Sequence, residues 1–140
     1  PSVSPPAYKG PLSASVFILD SENLFFAGEA GGLMKKILKA IHLSPDHVLI
    51  CGTGDQEEIQ KLINKVSPKV IVAFGEPAAR LILNTEAQIA ALRGRFHTCC
   101  GSNVMPTFHP SLLLLQPEYK RQVWEDMKQV MALAGLGNDS

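Results

Sequence analysis

The stretch Ser67-Pro68-Lys69-Val70-Ile71-Val72-Ala73-Phe74-Gly75-Glu76-Pro77 decides the architecture. Its apolar run is continuous rather than alternating, as expected of a strand covered on both faces. Pro68 breaks the helix that precedes it. Gly75 turns the chain into a helix running to about Leu83, with Pro77 at a tolerated early position. Strand, glycine turn and helix in that order make one unit of an α/β fold.

The same alternation recurs on both sides. His47 to Cys51 is a second continuous strand. Asp55 caps the helix after it, where Glu57 and Glu58 suit the amino-terminal dipole and Ile59, Leu62, Ile63 and Val66 are the buried face. Further upstream, Ala14 to Leu19 is a short strand ending at Asp20. Gly31-Gly32 opens an amphipathic helix, with Leu33, Met34, Ile37, Leu38 and Ile41 on one face and Lys35, Lys36 and Lys39 mostly on the other. Downstream, Thr85 caps a helical stretch from Glu86 to Leu92 that Arg93-Gly94-Arg95 ends. Phe96 to Thr98 and Val104 to Phe108 are extended pieces around Gly101-Ser102-Asn103. Leu112 to Leu115 reads as an apolar loop or single turn. Pro117 starts the last helix, in which Tyr119, Val123, Met127, Val130 and Ala134 repeat at helical spacing. The pattern predicts a three-layer α/β/α sandwich around a mostly parallel four-stranded sheet. Residues 1–13, with four prolines and a glycine, read as a tail or linker with little helix or strand. Residues 14–134 read as a single domain and 135–140 as a frayed end.

Composition narrows the function. The chain has 140 residues, 46% of them hydrophobic, enough for one domain with a real core. Thirteen basic and thirteen acidic residues cancel, which removes the footprint of a dedicated nucleic-acid binder and leaves room only for a local patch. No apolar run approaches the ~20 residues of a membrane helix, so no membrane partner is expected. No signal peptide is visible at the start. The opening at Pro1 allows two readings, a processed start or a domain cut from a longer protein. The three cysteines, Cys51, Cys99 and Cys100, give neither a disulfide framework nor a four-thiolate metal site. A reducing, cytoplasmic setting fits them. Cys99-Cys100 with His97 lacks a fourth ligand and the usual spacer, so no metal and no cofactor is expected.

The chemistry concentrates where Val104-Met105-Pro106-Thr107-Phe108 stops at His109-Pro110-Ser111. Pro110 cannot donate to a sheet and biases His109 away from helical geometry. The imidazole is expected at a strand's carboxyl edge, where open α/β sheets bind ligands. Asp20 and Glu22 read either as acids in that cleft or as capping and solvated groups. Gly28-x-x-Gly31-Gly32 before a helix is a weak phosphate signal, because the Gly-Lys-Ser/Thr ending of a P-loop is missing. His42, His47 and His97 have no identifiable partner in the sequence.

Three stretches carry a family resemblance. The first is Phe25-Phe26-Ala27-Gly28-Glu29-Ala30-Gly31-Gly32-Leu33, leading into a long helix. The second is Ser67-Pro68-Lys69-Val70-Ile71-Val72-Ala73-Phe74-Gly75. The third is Pro106-Thr107-Phe108-His109-Pro110-Ser111-Leu112-Leu113-Leu114, followed by Val123-Trp124-Glu125-Asp126. Their order resembles the uracil-DNA glycosylase superfamily, most closely its bacterial and archaeal iron–sulfur type. The resemblance implies an enzyme fold that flips a uracil nucleotide from DNA and cleaves its glycosidic bond. It assigns His109 and Ser111 to the leaving base and the flanking phosphates, and Phe26 to stacking on the base. It assigns Leu112 and Leu113 to the apolar residues that press into the base stack. The plain alternatives are a core role for Phe26, a packing turn for Leu112 to Leu115, and an exposed strand end for His109.

The departures from the family pattern are as informative. The glycine-rich acidic loop expected after the first strand has no counterpart beyond Asp20-Ser21-Glu22-Asn23. The second strand ends in Cys51-Gly52 where the family has a base-reading asparagine, so the resemblance puts Cys51 at the base-binding position without the amide. The cysteines of the iron–sulfur cluster are absent, so no cluster is expected. In a second register Gly28-Glu29-Ala30 is a remnant of the lost loop, which makes Glu29 a candidate water-activating group.

A site without its water-positioning and base-reading residues is short of several kcal/mol of transition-state stabilisation. The leading expectation is therefore a catalytically degenerate glycosylase-like protein. It would bind single- or double-stranded DNA, a nucleotide, or a protein partner of the repair or replication machinery. One alternative is an active glycosylase using Asp20, Glu22 or Glu29. Another is a structural subunit of a replication complex, with the architecture of the polymerase III psi subunit.

Overall fold

The computed structural model describes residues 7–136. The strands are β1 (Tyr8–Lys9), β2 (Val16–Asp20), β3 (Val48–Gly52), β4 (Val70–Phe74), β5 (His97–Cys99) and β6 (Ser102–Thr107). The helices are α1 (Gly28–Ala40), α2 (Gln56–Val66), α3 (Glu76–Leu83), α4 (Ile89–Leu92), α5 (Pro110–Leu115) and α6 (Lys120–Ala134). Short 3-10 turns at Pro45–His47 and Pro117–Tyr119 lead into β3 and α6.

The sheet has six strands in the order β1-β3-β2-β4-β6-β5, rather than the four expected. The inner four are parallel, as predicted. Both edges are antiparallel additions. β5 folds back on β6 through a tight turn. β1 pairs Tyr8 with Cys51 and Lys9 with Ile50. Tyr8–Lys9 lies in the stretch read as a tail or linker with little strand, and these two residues are the strand it contains among those described. Proline density hid a strand only two residues long, and Gly10 makes it possible. With φ +122, a Cβ at Gly10 would stand 2.1 Å from the Val48 carbonyl oxygen. The remainder of the expected tail, residues 1–6, and residues 137–140 of the expected frayed end lie outside the described residues.

Alternation along the strands makes two cores. Val16, Ile18, Val48, Ile50, Val70, Val72, Phe74 and Met105 pack under α1, α5 and α6. Phe17, Leu19, Leu49, Cys51, Ile71, Ala73 and Val104 pack under α2, α3 and α4. The inner strands are buried on both faces, which is why they read as continuous apolar runs.

Helix boundaries shift from the sequence reading in four places, one of them at α6, which begins at Lys120 after the 3-10 turn that Pro117 opens. α1 begins at Gly28, three residues before Gly31-Gly32. Of the stretch 86–92 only Ile89–Leu92 is helical, and Thr85 Oγ1 accepts from the Ala87 amide without capping a helix. Pro110–Leu115, read as a loop or single turn, is a short helix with Pro110 at its first position. Asp55 caps α2 as expected, accepting the Glu58 N–H at 3.1 Å. No helix among the described residues is long and apolar enough to cross a membrane.

The connections decide where a cleft opens. The chain leaves β2 toward the α1 face and leaves β4 toward the opposite, α3 face. Neighbouring strands whose exits diverge leave a crevice at their carboxyl ends.

Candidate functional site

A cleft of about 570 Å³ occupies that crevice. Ser21 and Glu22 line it from the end of β2, and Gly75, Glu76 and Pro77 from the end of β4. Phe108, His109, Ser111 and Leu112 line it from the end of β6 and from α5. Its floor is tied by short bonds between strand ends. Ser21 N–H donates to Phe74 O at 3.1 Å, and Gly75 N–H to Thr107 O at 2.9 Å. Ser21 Oγ accepts the Ala78 N–H of α3 at 2.9 Å. Gly75 has φ +100, and a Cβ there would stand 2.5 Å from Ser21 Oγ and 3.4 Å from the His109 Cβ. The strand ends meet because this residue has no side chain.

His109 sits at the amino-terminal cap of α5 with extended geometry, φ −72 and ψ 144. Pro110 imposes that geometry. Its Nδ1 accepts the Ser111 N–H at 3.0 Å. An accepting Nδ1 leaves the ring proton on Nε2, which donates to Asp20 Oδ1 at 2.7 Å. Phe74 presents to the ring edge-on, centroids 6.5 Å apart.

Asp20 is fully buried at the end of β2. Its carboxylate also accepts the Glu22 N–H at 2.9 Å on Oδ1 and the Leu24 N–H at 2.8 Å on Oδ2. Burial alone would raise its pKa; the bond from His109 and the two amides outweigh that and hold it below its ordinary value. Glu22 is different, with its side chain 45% exposed. Its Oε2 accepts from Ser111 Oγ and stands 3.6 Å from His109 Nδ1. Glu76 is a fastener, accepting the Ile89 N–H at 2.9 Å and pairing with Arg80 at 3.1 Å. No lysine or arginine is among the described residues lining the cleft.

The structure therefore brings Asp20, Glu22, His109, Ser111 and Leu112 together. It places the other sequence candidates elsewhere. Leu113, one residue on, turns into the core and is 2% exposed. Glu29 is exposed in the first turn of α1, away from the cleft lining. Phe26 lines a separate cavity of about 430 Å³ with Phe25, Lys35 and Ile50. Cys51 is buried against the α2 side of the sheet, its Sγ–H donating to Gly52 O at 3.2 Å, and burial pushes its thiol up to about 12.

Two contributors escaped the sequence reading. Asp126 is fully buried on α6 and accepts from Thr107 Oγ1 at 2.6 Å and from Arg93 at 2.9 and 2.8 Å. Arg93 lies over the Phe108 ring, 5.9 Å from its centroid, and so fixes one wall of the cleft. The signal was an acid beside the apolar stripe Val123, Met127 and Val130. Asn23 is the second. Its Oδ1 accepts the Thr53 N–H at 2.8 Å over Gly52, where a Cβ would come within 2.3 Å.

Residues 18–128 match the model of the family described as "Uracil DNA glycosylase superfamily". The chain belongs to the uracil-DNA glycosylase superfamily. A Type-4 uracil-DNA glycosylase of Sulfurisphaera tokodaii is 27% identical over 141 residues, covering 82% of this chain and 64% of that protein. A Type-4 uracil-DNA glycosylase of Thermotoga maritima is 30% identical over 125 residues, covering 74% of this chain and 65% of that protein. The chain thus spans just under two thirds of the length of these curated relatives. Within the superfamily fold, the cleft at the ends of β2, β4 and β6 holds the histidine of the third matching stretch.

Proposed function

We propose that this superfamily member holds DNA or a nucleobase at its His-Pro-Ser edge without cutting the glycosidic bond. The observation that carries this reading is the commitment of both His109 nitrogens. Nε2 donates to Asp20 at 2.7 Å and Nδ1 accepts from the Ser111 amide at 3.0 Å, in a ring only 5% exposed. No ring N–H is left to meet the charge on a departing base. Losing one such donor costs about 2.7–4 kcal/mol of barrier lowering. Asp20 is spent in the same way, since it is fully buried and its oxygens already accept three hydrogens, so it cannot activate water.

The test is a strand-cleavage assay on uracil-containing single- and double-stranded DNA. The expected result is no alkali-labile product. Single-stranded DNA should bind, and more weakly as salt rises. Binding that is absent or salt-insensitive turns the reading toward a protein partner in repair or replication. Alkali-labile product that disappears in His109→Ala overturns the non-catalytic reading.

One observation favours a second reading, an active glycosylase. Glu22 is the half-exposed carboxylate of the cleft, touching Ser111 and close to His109. It is placed to take a proton from water. Product that survives in the wild type and is lost in Glu22→Gln would select this reading.

A further inference from the structure

The turn between β5 and β6 consists of Cys100 and Gly101, because Cys99 pairs with Ser102 across the ladder. Both turn residues have positive φ, +55 and +80. That is the pattern of a type I′ turn, whose first position favours Asn, Asp or Gly. A cysteine carries its Cβ into the left-handed region there with no backbone advantage. The side chain, then, is what distinguishes the position.

That side chain meets its neighbour. Cys99 Sγ and Cys100 Sγ are 3.0 Å apart, within hydrogen-bond reach. Both residues are half-buried at the margin of the core under α2 and α3. Burial, then the bond to Cys100 and its charge, push the Cys99 thiol up to about 12. Either sulfur can donate the proton of this contact, so the two thiols share one hydrogen bond. Cys51 offers no competing thiol, being fully buried on β3.

We propose that Cys99 and Cys100 are a vicinal dithiol that closes reversibly into an intrachain disulfide by exchange with small-molecule disulfides. The Cys100 thiolate attacks one sulfur of the oxidant, forming a mixed disulfide and releasing one thiol. The Cys99 sulfur then attacks Cys100 Sγ, closing the ring and releasing the second thiol. The two cysteine protons leave on the two released thiols. The protein sulfurs are oxidised, and the small-molecule disulfide is reduced. Neighbouring Cα atoms are ~3.8 Å apart across a trans peptide, nearer than the ~4.4–6.8 Å of ordinary disulfides. The ring is therefore strained, and a strained disulfide is readily reduced. The turn adjoins the start of β6, and His109 follows its other end, so closure leaves the cleft intact.

The experiment treats the full chain with glutathione disulfide and reads intact mass and mapped peptides. The expected result is loss of two hydrogen atoms, located between Cys99 and Cys100, restored by a mild thiol. Cys51→Ser should behave as the wild type. Cys100→Asn suits the turn, so it should fold and should lose the ring. Phenylarsine oxide gives a second readout, since its arsenic joins two thiols with release of water. One equivalent should bind the wild type and none should bind Cys99→Ser or Cys100→Asn. Stable glutathione adducts without ring closure, or arsenical binding that survives in Cys100→Asn, would overturn the proposal.

Discussion

Replacing His109 by alanine leaves Asp20 a buried carboxylate with two amide donors and no imidazole. A hydrogen bond to an ionised group contributes about 1.5–3 kcal/mol. His109→Ala should therefore lower the unfolding free energy by about 2 kcal/mol. A urea titration would show this as an earlier midpoint at unchanged slope. Asp20 also shapes the acid limb. Its folded pKa lies below its ordinary value, so the unfolded chain takes up the proton first as pH falls. The stabilisation is complete above the ordinary aspartate range near ~3.9 and is lost as pH drops through the lower folded value. Asp20→Asn should flatten the fall in stability below about pH 4, read by circular dichroism during acid titration. An unchanged acid limb would remove Asp20 from this role. At this scale the extended geometry of His109 was legible, because Pro110 imposes it locally. Its partner was not, because Asp20 lies 89 residues away in sequence and no spacing rule connects them.

Elements were legible wherever a local rule governs them. The inner strands announced themselves as unbroken apolar runs, and Asp55 marked the start of α2. The start of α1 was not, because its glycines do different work. A Cβ on Gly31 would stand 2.2 Å from the Phe26 carbonyl carbon, whereas a Cβ on Gly32 meets nothing within 4 Å. Gly32→Ala should stabilise the helix by about 0.5–1 kcal/mol. Gly31→Ala should destabilise the protein, since the chain at Phe26 must move. Equal urea midpoints for the two variants would contradict this packing. The Arg93–Asp126 pair joins the segment after α4 to α6 and, through Thr107, to β6. Breaking a buried pair costs about 3–5 kcal/mol, because the surviving charge is left without its partner. Arg93→Met should cost about 3 kcal/mol and loosen Phe108 against the cleft. The cleft effect would appear as weaker ligand binding at temperatures where the variant stays folded.

At the scale of the whole molecule, the architecture came from repetition of one strand–turn–helix unit, and its edges came from exceptions to it. Four parallel strands follow from the alternating pattern. The two antiparallel edge strands have two and three residues, too few to show a period. Their role is to cover what the parallel strands leave open. β1 lies along β3, with Gly52 N–H also donating to Ala7 O at 3.0 Å. Without that cover, β3 would present unpaired N–H and C=O groups on a run, Val48-Leu49-Ile50-Cys51, with no charge to deter pairing. Deleting residues 1–10 should therefore do more than shorten a tail. The shortened chain should keep its inner parallel strands, lose some stability, and associate through the bared edge of β3. Light scattering after size-exclusion chromatography would show concentration-dependent oligomers in the deletion and fewer in the full chain. A deletion that stays monomeric would mean that β1 contributes pairing energy without guarding the edge.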